Sequence, residues 1–410
     1  MNLEPWQRTL YAVAAAQFIA LGGGNLVFPF MPFYVEDLGV TGEGSIALWS
    51  GLMGTATGGA LFIFSPIWGS LADRFGRKPL LLRAYLGAMI TMTLQGLAQN
   101  VWQLVFLRAL QGMFVGTIPA ATALVAGCTP RDRVAYALGL LQMALFTSQF
   151  FGPLAGGSLA AAIGIRPTFF ATSGFYLLAF LLVFTQVDER FERPPAGERM
   201  SFAGNLRVVL QVRPLVALIA LIFFMNAGPA YIRPLIPIIV GGFDVAASAE
   251  TLSGIAFATM ALTSAVAALA ASRLATRFGA RIALALVTAA AGAAYLPVGI
   301  AGNLPVLFLL IGAVGLFSGA MIPMANTLID AWAPPGRQAS AFGLTGSALA
   351  LAFAIAPLTG GVVASAAGIE TSFIVIGAIT LAVGAAIPAL VREVGPEEPE
   401  PAAAVAGGGE

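Results

Sequence analysis

The stretch IALALVTAAAGAAYLPVGIAGNLPVLFLLIGAVGLFSGAMIPMANTLI, residues 282–329, contains no charged side chain. A helix of roughly 20 apolar residues is long enough to cross the hydrocarbon core of a bilayer. This stretch is about twice that length and is interrupted by GNLP at 302–305, so it predicts two membrane spans joined by a turn. Each span is expected to be helical, because lipid offers backbone amide and carbonyl groups no hydrogen-bond partner.

The rest of the chain has the same character. It is 59% hydrophobic and 10% charged, whereas a soluble domain is typically about a quarter charged. Together with 282–329, the other uncharged runs predict an all-α integral membrane protein with twelve transmembrane helices. Those runs are 9–35, 44–72, 84–107, 109–130, 134–165, 167–187, 214–232, 251–272, 338–369 and 371–391.

Basic side chains predict the orientation of the helices, because cytoplasmic loops carry an excess of Lys and Arg. If the N-terminus is inside, the inside segments contain seventeen of the twenty basic residues, and the outside loops contain Arg166 alone. We therefore expect a multi-pass protein of the inner (cytoplasmic) membrane with both termini in the cytoplasm. The outside loops carry acids instead: Glu36, Asp37, Glu43, Asp244, Glu250 and Glu370.

The sequence also repeats itself at an offset of 203 to 205 residues. GGNLVFPFMPFYVEDLGV (23–40) matches GPAYIRPLIPIIVGGFDV (228–245), and ADRFGRK (72–78) matches ATRFGAR (275–281). A repeat of this length indicates two related halves. Parallel six-helix repeats are the architecture of major facilitator transporters, which bind substrate at the midplane between the halves. The predicted segments are a six-helix half (1–187), a cytoplasmic linker (188–213), a second six-helix half (214–392) and a disordered tail (393–410).

GSLADRFGRKP at 69–79 concentrates charge between spans 2 and 3. An anchor that obeys the positive-inside rule explains the basic residues, but it does not explain Asp73. Gly76 suits a turn with positive φ. The pattern resembles the loop 2–3 motif of the major facilitator superfamily, and this resemblance implies a latch between the two halves on the cytoplasmic side. Its gate residues would be Gly69, Asp73, Arg74, Gly76, Arg77 and Lys78.

The second copy of this motif departs from the pattern, so a charged latch is expected in the first half only. The residues at the positions of Gly69, Asp73 and Arg77 are Ser272, Thr276 and Ala280.

GLLQMALFTSQFFGPLAGG at 139–157 resembles the antiporter motif of the twelve-helix drug–proton antiporter family, and the resemblance implies an exporter. The stretches PFMPFYVEDLGVTG and GLAQNVWQLVFLRAL look like those of the MdtG-type efflux transporters within that family. The alternative is plain packing of small residues between helices. The matching residues are Gly139, Gly152, Pro153, Gly156 and Gly157, and Ser148 stands where the motif usually has glycine.

LRALQGMFVG at 107–116 contains an arginine inside a predicted membrane segment. Burying arginine in lipid costs at least ~2.5 kcal/mol, so Arg108 is expected to face the protein interior or a wet cavity. The alternative is that its long side chain reaches the nearby membrane surface. The spacing resembles the span 4 motif of proton-coupled members, which implies a role in coupling for Arg108 and for Gln111 one turn away.

A titrating group for proton coupling is not apparent near the centre of any span, because no acid lies there and the chain has no histidine. The candidates are Glu36 and Asp37 at the outer end of span 1, paired with Arg108 or Arg233. Uncoupled exchange or facilitated export remains the alternative.

The resemblance to the major facilitator superfamily implies a substrate cavity lined by spans 1, 4, 7 and 10. Pockets for small molecules combine apolar walls with a few polar groups, and packing or lipid contact is the alternative role for each aromatic residue. With Gln149 on span 5, the cavity candidates are Gln17, Asn25, Phe28, Phe224, Asn226, Tyr231, Arg233 and Asn326.

These features together predict a secondary transporter that exports hydrophobic drugs or metabolites in exchange for protons by alternating access. The alternative is a dedicated carrier of one metabolite with the same fold. An enzyme is not expected, because the spans hold no Ser/His or paired-acid constellation and Cys128 is the sole cysteine. The expected partners are a small-molecule substrate, protons and the lipid bilayer, with no cofactor, metal or nucleic acid, and the protein is expected to be a monomer.

Overall fold

The structure is a computed structural model that describes residues 4–114, 116–189, 213–244, 246–332 and 338–391. Almost all of the predicted linker and all of the predicted tail lie outside these residues. Two short 3-10 helices cover Phe28–Phe30 and Val298–Ile300. The α-helices of the described residues, in chain order, are α1 (Pro5–Asn25), α2 (Met31–Asp37), α3 (Glu43–Phe75), α4 (Arg77–Gly96), α5 (Val101–Phe114), α6 (Thr117–Cys128), α7 (Val134–Ile163), α8 (Ile165–Gln186), α9 (Arg213–Ile232), α10 (Ile236–Gly241), α11 (Ala249–Phe278), α12 (Ala280–Tyr295), α13 (Leu304–Trp332), α14 (Gln338–Ala367) and α15 (Ile369–Leu390).

The predicted all-α membrane fold is confirmed by these helices. Eleven segments of the described chain are long and apolar enough to cross a membrane, and α1 with α2, α5 with α6 and α9 with α10 each count as one of them. The remaining long helix, α4, has 20 residues and packs against α5, α6 and α8. Its lower hydropathy follows from Arg77, Lys78 and Arg83 near its start. The described elements are therefore consistent with twelve spans.

The uncharged runs do not mark where span 3 ends and span 4 begins. The uncharged run 84–107 extends across both spans, because α4 ends at Gly96 and α5 begins at Val101. The turn at 97–100, LAQN, contains no charged residue, so a search for charges passes over it. Arg108 lies within span 4, as expected from the sequence.

Spans 1 and 7 are interrupted at equivalent places in the two repeats. The chain leaves α1 at Asn25 and resumes in α2 at Met31, and it leaves α9 at Ile232 and resumes in α10 at Ile236. Proline has no amide hydrogen and its ring clashes with the preceding turn, and each interruption carries the matching pair, Pro29 and Pro32 or Pro234 and Pro237.

The described helices form two compact units. The first comprises Met1–Pro195, Tyr231–Ala261 and Phe353–Ile369, and the second comprises Ala196–Ala230, Leu262–Ala352 and Glu370–Glu410. The second unit has its own apolar core, in which α9, α12 and α13 contribute Leu218, Leu284 and Ile329. These units follow packing and differ from the repeat-based halves, whose bounds stay a prediction.

Glycines let helix backbones meet directly inside the first unit. On α7, a β-carbon at Gly156 would lie 2.1 Å from the carbonyl oxygen of Leu26, and one at Gly157 would lie 2.1 Å from that of Glu250. On α3, a β-carbon at Gly51 would lie 2.3 Å from the carbonyl oxygen of Pro357 on α14. Small residues are used in this way where membrane helices approach closely. We call the α3–α14 and α7–α11 contacts the glycine seams.

The first prediction concerns two glycines of α7. Gly156→Ala should lower the free energy of unfolding by about 1–3 kcal/mol, because the added methyl group overpacks the contact with α1. Gly139→Ala is the matched control, since a β-carbon there meets nothing within 4 Å. Thermal unfolding of the purified variants in detergent measures both, and equal midpoints would contradict the assigned packing.

Candidate functional site

A buried polar cluster lies between α4 and α5 in the first unit. Arg108 is 6% exposed, and its Nη1 donates to the Oε1 of Gln111 at 3.2 Å. The Nε2 of Gln95 on α4 donates to the same oxygen at 3.1 Å. A spacing of three residues places Arg108 and Gln111 on one face of α5. Arg108 therefore faces the protein interior, as the free-energy cost of placing arginine in lipid predicts. Its side chain does not extend to the membrane surface.

The positive charge of Arg108 is held by neutral groups. No carboxylate contacts it among the described residues, and Tyr176 of α8 lies within electrostatic range. The Nε of Arg108, the Oε1 of Gln95 and the hydroxyl of Tyr85 are buried without a hydrogen-bond partner in that part of the chain. Such groups are costly unless water or a ligand reaches them, so the cluster has unused capacity to bind a polar group.

A second arginine lies where span 7 is interrupted. Arg233 follows α9, and its guanidinium stacks 4.3 Å from the ring centre of Phe28 and 5.8 Å from that of Phe353. A cation over an aromatic face is attracted by the ring quadrupole. Phe28 and Arg233 occupy equivalent positions in the two repeats. The interruptions of spans 1 and 7 therefore meet through equivalent residues.

The proposed pairing of these arginines with Glu36 or Asp37 is absent. Both acids are exposed at the end of α2, and the electrostatic neighbours of Asp37 are Glu250 and Arg166. Arg108 and Arg233 instead contact an amide and two aromatic rings.

The charged loop between α3 and α4 makes its described contacts within its own unit. Gly76 has φ of 93°, as the predicted turn requires. The backbone amides of Arg77 and Lys78 donate to the carboxylate of Glu189 at 2.7 to 2.9 Å, and the Nζ of Lys78 donates to the carbonyl oxygen of Phe184 at 3.1 Å. A carboxylate at a helix N-terminus satisfies free amides and complements the helix dipole.

Glu189 was not predicted from the sequence. The available signal was a carboxylate directly after span 6, next to a basic loop, but nothing in the spacing identifies the α4 amides as its partners. The side chain of Asp73 lies outside the described residues. The guanidinium of Arg74 lies 5.3 Å from the ring centre of Phe75, and nothing lies within 4 Å of a β-carbon at Gly69.

The residues of the antiporter-like motif contact α1 and α11. A β-carbon at Gly152 would lie 2.8 Å from the carbonyl oxygen of Gly22, and one at Gly254 would lie 2.5 Å from that of Pro153. Ser148 is buried, and its hydroxyl donates to the carbonyl oxygen of Leu145 at 2.7 Å. Its hydroxyl is thus satisfied locally, so serine fits at a position where glycine is usual.

The cavity candidates of the first unit differ in whether their side chains are exposed or are buried against the protein. Gln149 is exposed, whereas Gln17 is fully buried and its Nε2 donates to the carbonyl oxygen of Thr117 at 2.9 Å. Asn25 donates to the carbonyl oxygen of Ser148 at 3.4 Å. Tyr231 is 4% exposed, and a β-carbon at Gly360 would lie 3.1 Å from its ring.

Three further candidates belong to the second unit. Phe224 is exposed and Asn326 is half-buried. The Nδ2 of Asn226 donates to the carbonyl oxygen of Ile222 one turn earlier, at 2.8 Å. These side chains are described within their own unit, and their role in substrate binding stays a prediction.

Known proteins resemble this chain in sequence and in fold. The family model described as Major Facilitator Superfamily matches residues 13–249 and 230–409. A multidrug resistance protein MdtG from Enterobacter lignolyticus is 34% identical over 385 residues, which cover 92% of this chain and 90% of that protein.

Two solved transporter structures have the same fold at low identity. A bacterial homologue of the human lysosomal transporter Spinster has a TM-score of 0.78 at 15% identity, covering 96% of this chain and 100% of that one. The nucleoside transporter NupG has a TM-score of 0.76 at 12% identity, covering 95% and 99%. At these identities the likeness concerns the fold alone.

The second prediction concerns the shared acceptor of the polar cluster. Gln111→Leu should lower the free energy of unfolding by about 1–3 kcal/mol, because it removes the oxygen that accepts from both Arg108 and Gln95. Gln111→Glu keeps an acceptor and should be better tolerated. Thermal unfolding measures both variants, with the exposed Gln103→Leu on the same helix as control. Equal losses for positions 103 and 111 would contradict the cluster.

Proposed function

Because the chain belongs to the major facilitator superfamily, whose members are secondary transporters, we propose that it exports hydrophobic drugs or metabolites in exchange for protons. One observation supports export, rather than import, more than the others. The antiporter-like motif of α7 is built into the contacts of α7 with α1 and α11, and relatives that align over most of the chain are named multidrug resistance proteins.

The proposed location is the inner membrane, with the loop at 76, the turn at 129–133 and Glu189 in the cytoplasm. These segments lie at one end of the first unit, at the opposite ends of their helices from the turns at 38–42 and 97–100. We call the former the basic end and the latter the acidic end. The excess of basic residues in the loops of the basic end supports this orientation.

The proposed transport cycle opens and closes the two ends alternately. The glycine seams join α3 to α14 and α7 to α11 near the acidic end, and their close backbone contacts would seal the outer side while the protein loads from the cytoplasm. The junction of α3 and α4, which contains Asp73, Arg77 and Lys78, would hold the basic end during the opposite phase. Because the backbone amides of Arg77 and Lys78 bind Glu189, a movement of α4 would also move the start of the linker that follows α8.

In the proposed cycle, proton coupling involves Arg108 and the two acids at the end of α2. Arg108 carries a buried charge beside Gln111 and Gln95, and a group of this kind responds to a proton or a substrate nearby. Glu36 and Asp37 remain the titrating candidates. They lie at the acidic end, where protons would enter from outside. We propose that the protein works as a monomer.

A dedicated or uncoupled carrier is the second candidate function. It is favoured by the shortage of titrating groups, because the acids of spans 1 and 2, namely Glu36, Asp37, Glu43 and Asp73, lie at helix ends. Such a carrier would recognise one compound rather than many.

The third prediction tests export and coupling together. Inverted membrane vesicles that contain the protein are energised to an acidic lumen, and unrelated hydrophobic compounds are added one at a time. Several compounds should release protons from the wild-type vesicles. Asp73→Asn should abolish this release at unchanged abundance, because it removes the charge assigned to the latch. Asp132→Asn is the control, since Asp132 is exposed in another loop of the basic end.

Each outcome of this assay separates the alternatives. Release by one compound alone would favour the dedicated carrier, and substrate flux without proton release would favour uncoupled export. Normal release in the Asp73→Asn variant would contradict the latch.

A further inference from the structure

Span 4 is interrupted inside the membrane. Gly116 has φ of 130° between α5, which ends at Phe114, and α6, which begins at Thr117. A backbone in this region cannot continue a right-handed helix, and side chains other than hydrogen rarely adopt it. Because α5 has 14 residues, the interruption lies about 21 Å along the span, well within the hydrocarbon layer.

Side chains from three other helices satisfy the backbone groups beside the interruption. The Nε1 of Trp68 on α3 donates to the carbonyl oxygen of Met113 at 2.7 Å. The Nη2 of Arg83 on α4 donates to that of Phe114 at 3.2 Å, and its guanidinium stacks 3.4 Å from the ring centre of Trp68. The Nε2 of Gln17 on α1 donates to the carbonyl oxygen of Thr117. Irregular backbone persists at membrane depth only where the protein satisfies it in this way.

The second repeat provides an internal comparison. Its span 10 is the continuous helix α13, although Pro323 occupies the position of Pro119. The proline alone therefore does not interrupt the span. Ala320 stands at the position of Gly116, and apolar residues replace all three supporting side chains. At the repeat offsets, Gln17, Trp68 and Arg83 correspond to Ile222, Ala271 and Leu286.

Both parts of span 4 pack on α4, but their other neighbours differ. The outer part, α5, packs on α3, where a β-carbon at Gly112 would lie 2.1 Å from the carbonyl oxygen of Thr57, and Thr57 donates to the carbonyl oxygen of Arg108 at 3.2 Å. The inner part, α6, packs on α1, α4 and α7. Two buried donors of Arg83, Nε and Nη1, have no partner among the described residues. They are available to bind a carbonyl group in a second arrangement.

We propose that span 4 is a hinged helix in which Gly116 is the pivot and Trp68 and Arg83 are positioning residues that set the orientation of the Arg108-bearing part. The proposal rests on the transport function above. It makes the first repeat the moving partner during the cycle, while the continuous span 10 stays straight. Hinge residues of this kind absorb a backbone change far from the bound molecule.

The hinge is measured by the distance between two spin labels in the full-length protein. One label is placed on Cys128, the sole cysteine, at the end of α6, and the other on Gln103→Cys, which is exposed on α5. An unbroken helix between positions 103 and 128 would give about 37 Å. The wild-type protein should give a shorter distance that changes when a transported compound or a pH step is applied.

Gly116→Ala introduces the residue of the second repeat. It should move the distance towards that of the unbroken helix, abolish its response, and lower transport about tenfold or more. Gly59→Ala is the matched control, because a β-carbon there meets nothing within 4 Å. Arg83→Leu should reproduce the effect of Gly116→Ala, and Arg83→Lys should restore part of the transport, since lysine still donates to Phe114.

The proposal is overturned if Gly116→Ala leaves the distance unchanged, or if it straightens the span and transport continues at the wild-type rate. Should that variant fail to accumulate, the wild-type measurement decides: a single narrow distance near 37 Å that no ligand or pH step alters excludes the hinge. A wild-type protein that transports no compound would contradict the proposed function, and the distance response to pH would still test the hinge.

Discussion

The hydrocarbon layer offers no hydrogen-bond partner, and this constraint organises the protein. Backbone groups in lipid must be paired within the chain, so every span is helical and each interruption needs local support. Where span 4 leaves the helix at Gly116, Trp68 and Arg83 reach the exposed carbonyl groups. The same requirement explains why Arg108 is buried beside amides rather than turned to lipid.

Close backbone packing is the second consequence of the same environment. Lipid is as apolar as leucine, so burial of side chains contributes little to helix association, and van der Waals contact between backbones contributes more. The glycines of α3 and α7 provide this contact with α14 and α11. Contacts of this kind carry few hydrogen bonds. They can separate and reform during a transport cycle without leaving polar groups unpaired.

Much of the fold was predictable because charge is excluded from lipid. The all-helical membrane fold and the burial of Arg108 both follow from that rule. The turn at 97–100 was missed, since it is polar without being charged. The sequence could not predict which residues contact each other in the site, because this depends on which helices pack together. The contacts concerned are Gln95 with Gln111, Phe28 with Arg233, and Glu189 with the start of α4. Pro119 and Pro323 make the same point, because identical prolines lie in an interrupted span 4 and in a continuous span 10.

The central claim is that the glycine seams near the acidic end open and close during transport. It is tested most directly by a reversible cross-link between α3 and α14, with cysteines at Gly44 and Ser365 in a Cys128→Ser background. A β-carbon at Gly44 would lie 3.1 Å from the α-carbon of Ser365, so oxidation should link the two helices in the resting protein. The account predicts that the link stops transport and that reduction restores it. Cross-linked protein that transports at the rate of the reduced form would contradict it.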